Sequence, residues 1–260
     1  MPKAAPRLRI HLTSFVVIPA RLASSRLPRK LLLGETGKPL VQHTYEAAQR
    51  AERPLGLCVA ADHEDIAAAV RSFGGQVQMT SPDCASGTDR VAEIAAAMND
   101  VDILVNVQGD EPELPGSSID RVIELLEENP AMVMSTLATP IRNRSQLDDP
   151  SCVKVVFDRG GRALYFSRSP IPLAREWTDE LLTAEPPHFH LHIGLYAYRR
   201  DFLLRLAGLP RTPLEKLESL EQLRVLENGY QIAVGVVDEP TVGIDTPEDY
   251  RAFVRRTLSR

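Results

Sequence analysis

The sequence predicts an α/β protein built on a doubly wound, mostly parallel sheet, and three observations carry that prediction. Four apolar runs, FVVIPA (15–20), LGLCVAA (55–61), QVQMT (76–80) and DILVNVQ (102–108), are each followed by a turn and a helix-like stretch. The runs are rich in Val, Ile and Leu, as strands covered on both faces must be. The segments between them are long enough to hold crossover helices.

The elements follow in order. The first run leads into the basic loop PARLASSRLPRK, and the SGTDRVAE stretch (86–93) opens a helix before the fourth run, which ends in QGDEP. From residue 131 the pattern changes. KVVFD, RGG and RALYFSR read as two strands about a glycine turn, which is hairpin chemistry and predicts a mixed-sheet extension to the Rossmann-like frame. Residues 169–190 contain Pro170, Pro172, Pro186 and Pro187 without periodicity and read as a long loop. HIGLYAY is strand-like and DFLLRLAGL helical. PLEKLESLEQLRVLENG reads as one helix of about four turns, with leucines at 214, 217, 220, 223 and 226 inside and Glu215, Glu218 and Glu221 on its wet side, ended by Gly229. IAVGVV is a last strand. Thr246, Pro247 and Asp249 then make a capping-box start to the final helix. At 260 residues the chain fits one domain, or one with a small lobe. Residues 1–13 are expected as a flexible extension, 14–260 as the domain, and 131–200 as its lobe.

Composition narrows the function. With 43% hydrophobic and 25% charged residues the chain reads as an ordinary globular protein. A net charge of −5 argues against a protein that neutralises nucleic-acid or membrane phosphates broadly. No apolar run approaches the roughly 20 residues of a membrane span. Cys58, Cys84 and Cys152 form no even disulfide framework and no C-x-x-C, which fits a reducing cytoplasm.

Four constellations can carry chemistry. Arg21, Arg26, Arg29 and Lys30, beside Ser24 and Ser25, lie just past the first strand, where ligands of open α/β sheets sit, and suit a polyphosphate; a solvated basic loop is the competing reading. No glycine-rich dinucleotide fingerprint or Walker loop is present, so side chains must hold the phosphates. Asp110 ends the fourth strand facing that loop and can hold Mg2+, or be a plain turn acid. Asp245 precedes the final helix without a capping duty and could share the ion, or stabilise the turn. Asp100 and Asp102 precede their strand and so belong at the opposite sheet end. Ser86 and Arg90 sit where helix N–H groups could meet an anion or a base edge, or simply cap the helix. His188, His190 and His192 alternate along one strand, with no cysteine or acid at zinc spacing.

These motifs, IPARLASSRLPRK, SGTDRVAE, VNVQGDEP, ALYFSR, HIGLYAYR, LEKLESLEQLR and GIDTPEDY, stand in one order from residue 15 to about 255. In that order the chain resembles the 3-deoxy-manno-octulosonate (Kdo) cytidylyltransferases. The resemblance implies a nucleotidyltransferase-like fold. It also implies that Ala20, Arg21, Ser24, Ser25 and Lys30 meet CTP, with Arg21 and Lys30 on its phosphates, and that Ser86 and Arg90 flank the nucleotide. Asp110 and Asp245 would be Mg2+ ligands. Gln108, Arg168, His192, Tyr196, Glu221 and Gln222 would contact Kdo. Arg21, Lys30, Asp110 and Asp245 would be the catalytic set. The 131–200 lobe would bind sugar and pair two chains into a homodimer. The family usually has a glycine before the loop lysine and a histidine two residues before SGT, where this chain has Arg29 and Cys84.

The chemistry implied is attack of the anomeric hydroxyl of Kdo on the α-phosphorus of CTP, with pyrophosphate leaving, for lipopolysaccharide-type glycan synthesis. Mg2+ and the basic loop would balance the developing charge. Two alternatives share these residues. One is a cytidylyltransferase for another acidic sugar, such as 8-amino-Kdo or a sialic-acid-like acceptor, and the other is a non-catalytic CTP sensor.

Overall fold

The four apolar runs fold as β1 (Ser14–Ala20), β2 (Leu57–Ala61), β3 (Val77–Met79) and β4 (Ile103–Asn106). They pair in parallel as β3-β2-β1-β4. A computed structural model describes residues 11–24, 26–238 and 243–259. Helices α1 (Leu40–Ala48), α2 (Glu64–Ser72) and α3 (Gly87–Ala96) cross between these strands, and α4 (Gly116–Glu128) follows β4.

The second half extends the same sheet. β5 (Met134–Pro140) is followed by α5 (Arg144–Asp148) and the hairpin β6 (Lys154–Phe157) and β7 (Ala163–Ser167). β8 (His190–Arg199) then runs antiparallel between β4 and β5, and α6 (Arg200–Ala207) follows it. β9 (Ile232–Val236) pairs in parallel with β5. The region expected as a lobe is thus divided. β5 and β8 lie within the main sheet, whereas the 141–189 stretch carries a small core of its own around Ile141, Leu147, Leu182 and Phe189.

The helix expected over 213–229 is broken. It folds as α7 (Pro213–Glu218) and α8 (Gln222–Glu227), and Ser219 between them takes a left-handed φ of 53°. α9 (Pro247–Leu258) starts as expected: Thr246 Oγ1 accepts from the Asp249 N–H at 3.2 Å, and the Asp249 carboxylate accepts from the Thr246 N–H at 2.8 Å.

Two apolar layers cover the sheet. One joins α1, α2, α4 and α9 through residues such as Leu40, Ile66, Ile123 and Phe253, and the other joins α3, α6 and α8 through Ile94, Leu203 and Leu223. The start of the frame moves back from the expected boundary. The Leu12 N–H donates to Glu127 at 3.2 Å and Thr13 Oγ1 to Asp102 at 2.8 Å, while residues 1–10 lie outside the described residues. Asp102 accordingly sits at the beginning of β4, the far end from the strand-end loops. Among the described residues no helix is long and apolar enough to cross a membrane.

Candidate active site

The loop leaving β1 is tied down before it presents its charges. The Leu22 N–H donates to Asp62, just past β2, at 2.9 Å. Arg29 takes a left-handed φ of 54°, a conformation that suits glycine better, and turns the chain into a short 3-10 turn at Lys30–Leu32. Its guanidinium pairs with Asp65 at 2.5 Å, so the extra cation is spent outside the cleft. Lys30 faces inward. Its ammonium donates to Asp110 Oδ2, to Asp245 Oδ1 at 3.1 Å and to the Ile244 carbonyl at 3.1 Å. The Ile244 N–H in turn donates to the Asp110 carbonyl at 2.9 Å. Main chain and lysine together bring the two distant acids to one point, and Arg26 adds a contact to Asp245 at 3.0 Å. Gly109 lets these segments approach: a Cβ there would lie 3.1 Å from the Pro19 carbonyl oxygen.

Three adjoining cavities form one cleft beyond the carboxyl ends of β1 and β4, and Gln108 lines all three. The Gln108 amide donates to Asn106 Oδ1 at 3.1 Å, which fixes its orientation. The first cavity, about 270 Å³, is lined by Arg21, Ser24, Lys30, Asp110 and Asp245. The second, about 260 Å³, meets Ala20, Arg21, Cys84, Ser86 and Arg90. Ser86 is the N-cap of α3, accepting from the Asp89 N–H. Arg90 is buried and donates to Thr80 Oγ1 and the Ser81 carbonyl, so it braces the wall as well as lining it. Cys84 donates to Glu93 at 3.2 Å, and burial, then that bond, push its thiol up to about 11. Ser25 lies outside the described residues.

The third cavity, about 230 Å³, meets Tyr196, Glu221 and Gln222. Tyr196 pairs with Asn106 at the last position of β4, which sets this part of β8 beside Gln108. Burial raises the Tyr196 hydroxyl, with the Glu221 charge adding to it, so it stays protonated. Gln222 lines this cavity, is buried, and its Nε2 has no hydrogen-bond partner. The break at Ser219 places Glu221 and Gln222 here.

The glutamate stripe expected on the wet side points inward. Glu215 is fully buried and its carboxylate accepts from Arg224 Nε at 2.8 Å and Nη2 at 2.7 Å. Glu218 accepts from Ser167 Oγ at 2.6 Å and the Arg168 N–H at 3.0 Å. Leu217 is instead 81% exposed. Two expected sugar contacts are placed behind the cavity. The Arg168 guanidinium donates to the carbonyls of Glu218 at 2.8 Å and Pro150 at 3.0 Å, outside the three cavities. His192 is buried behind Tyr196, 2.9 Å from Thr136 Oγ1, and burial lowers its pKa to about 3. Both therefore support the wall.

The donor set at the first cavity is two carboxylates. Among the described residues no group of three or more His, Cys, Asp or Glu side chains is arranged for a metal ion. Two hard oxygens beside a cationic loop match Mg2+, which takes one or two carboxylates and leaves other positions to phosphate oxygens and water.

Comparison with known proteins decides the family. The cytidylyltransferase family model matches residues 15–232. The chain belongs to the cytidylyltransferase family. It is 52% identical over 94% of its length to the 3-deoxy-manno-octulosonate cytidylyltransferase of Rhodopirellula baltica, covering 98% of that protein. It is 45% identical over 93% of its length to the 8-amino-3,8-dideoxy-manno-octulosonate cytidylyltransferase of Shewanella baltica, covering 97% of it. Among solved structures, a CMP:2-keto-3-deoxy-manno-octonic acid synthetase complexed with CTP superposes with a TM-score of 0.87 at 39% identity, covering 95% of this chain and 99% of that one.

For this cytidylyltransferase, reading the sequence missed several residues of the cleft. Asp62 anchors the β1 loop and lies 3.6 Å from Arg90; its position just after a strand was the available signal. Tyr198 and Gly194 also line the third cavity, and only the placement of β8 in the sheet beside β4 brings them there.

Proposed function

We propose that the chain transfers CMP from CTP to the anomeric hydroxyl of Kdo, releasing pyrophosphate. One observation carries this reading. A continuous cleft joins a cation-and-carboxylate end, a recess at a helix N-terminus and a pocket with an orphaned buried amide, all meeting at Gln108. Relatives named for Kdo transfer at about half identity, and a structural relative complexed with CTP, support the acceptor and the donor.

The residues divide the work by charge. Arg21 and Lys30 bind the triphosphate, and Ser24 sits beside them. Ala20, Ser86 and Arg90 form the wall against the nucleoside. Gln108, Tyr196, Glu221 and Gln222 orient the acceptor, with the Gln222 amide supplying a donor that the fold leaves unused. Asp110 and Asp245 would hold Mg2+, which when bound neutralises charge on the phosphates and lowers the pKa of a nearby hydroxyl. His192 is not positioned as a base, since it faces Thr136 and the rings of Phe166 and Tyr196. The same reading carries a homodimer, supported by the exposed Leu164 and Leu173 in the 141–189 region. It also carries a cytoplasmic reaction whose product serves lipopolysaccharide-type glycan synthesis. The 45% identical relative supports 8-amino-Kdo as the second reading.

Pyrophosphate release tests it, with CTP and Kdo against arms containing UTP, ATP, 8-amino-Kdo and sialic acid. The expected result is release with CTP and Kdo well above every other arm. Release that favours 8-amino-Kdo selects the second reading, and no release with any acceptor removes both.

A further inference from the structure

The third cavity has a glycine in its wall that the fold itself does not require. Gly194 lies within β8, between Ile193 and Tyr196, the residues that pair with Leu137 and Thr136 of β5, and a glycine inside a strand is less stable than a residue with a side chain. Two ordinary reasons for keeping it are absent. Among the described residues the glycines with positive φ are Gly37, Gly74, Gly161 and Gly229, so Gly194 holds a conformation open to other residues. A Cβ built on it meets no heavy atom within 4 Å, unlike Gly109 or Gly235, where a neighbour stands in the way. The register of β5 against β8 does shift here, between Thr136 and Leu137. A bulge demands glycine only where it needs a left-handed residue, which this one does not.

What remains is the space in front of Gly194. It opens into the cavity shared with Tyr196, Glu221 and Gln222. We propose that Gly194 is a specificity-determining residue: its bare backbone is the floor on which the acidic sugar lies, and the missing side chain sets the depth of the acceptor pocket. The proposal rests on the Kdo-transfer reading above. Polar recognition comes from Gln222, which lines the same cavity and whose amide lacks a partner, and fit comes from the glycine. A methyl group on this floor holds the sugar away from Gln222 and from the nucleotide, while the nucleotide's own recess, around Cys84, Ser86 and Arg90, is untouched.

Steady-state kinetics of Gly194→Ala and Gly194→Val, with a thermal melt of each, test this. Gly194→Ala is expected to melt at or above the wild-type temperature, to keep its KM for CTP within about twofold, and to raise its KM for Kdo about tenfold or more. Gly194→Val extends the same trend to about a hundredfold. A folded Gly194→Ala with unchanged KM for Kdo overturns the proposal. So does a variant that fails to fold, because the glycine is then needed by the backbone, and so does an equal rise in both KM values. The wild type run alongside separates the two failures. Wild-type enzyme that transfers no CMP to Kdo removes the functional reading and this proposal with it, whereas an active Gly194→Ala with normal Kdo kinetics removes the Gly194 assignment alone.

Discussion

The two ends of the cleft are built on different physics. The end proposed to take phosphates is a set of partly wet charges that satisfy one another: the side chains of Lys30, Asp110 and Asp245 are 15%, 24% and 45% exposed and meet at one ammonium. The end proposed to take the acceptor stands on buried groups, with the Glu215–Arg224 pair, His192 and Gln222 behind or within its wall. Exposed ion pairs contribute little to folding, whereas a buried pair broken on one side is strongly destabilising. Substitutions at the first end should therefore cost rate without stability. At the second they should cost stability and acceptor affinity together.

Asp110→Asn is the largest expected effect. The isosteric amide keeps the shape of the loop but removes the charge that faces Lys30 and would hold Mg2+. Turnover should fall about a thousandfold, or about 4 kcal/mol of transition-state stabilisation, while CTP binding and the urea midpoint stay near wild type. A large drop in the midpoint would break the distinction between the two ends.

Glu215→Gln tests the other side. It removes the carboxylate that the Arg224 guanidinium meets with two nitrogens inside the fold, and leaves Arg224 buried without its counter-charge. About 3 kcal/mol of stability should be lost in urea unfolding, and the KM for Kdo should rise because α7 and α8 frame Glu221. Loss of activity with unchanged stability would reverse the roles assigned to the two ends.

The same contrast explains what the sequence disclosed. The phosphate end was legible because its charges cluster at strand ends, in PARLASSRLPRK, QGDEP and GIDTPED, where local order already implies convergence. The acceptor end was not. Leucine spacing predicted one helix with Leu217 inside and Glu215 outside, but the inward pull on the glutamates comes from Ser167, Arg168 and Arg224. The first two lie about 50 residues away in sequence, beyond the reach of periodicity. Ser219, with its left-handed turn, carries no obligatory signal either. β5 went unread for a related reason. Its MSTLATP stretch is buried but polar, and its Ser135 and Thr136 hydroxyls find carbonyl partners at Val122, Ile193 and Leu195 that only the fold supplies.

The smallest effect expected is a pH dependence confined to the acceptor end. Burial holds His192 near a pKa of about 3, against 6.5 for the unburied imidazole. Thr136 has one hydroxyl proton for the carbonyls of Ile193 and Leu195, so His192 Nε2–H donates to the Thr136 oxygen, and burial keeps the ring neutral. Between pH 6.5 and 3 the unfolded chain binds a proton at this position that the folded chain refuses. Stability must then rise with pH across that window and be lost as pH falls below 6.5, at up to about 1.4 kcal/mol per pH unit. Urea unfolding at pH 6.5 and 5 should show a wild-type loss that exceeds that of His192→Gln by roughly 2 kcal/mol, since glutamine can keep a hydrogen bond to Thr136 but cannot be protonated. Asp110→Asn should follow the wild-type curve, because the charges it alters do not depend on burying this ring. Parallel pH curves for wild type and His192→Gln would mean that the acceptor wall admits the proton, and with it the water that a buried foundation excludes.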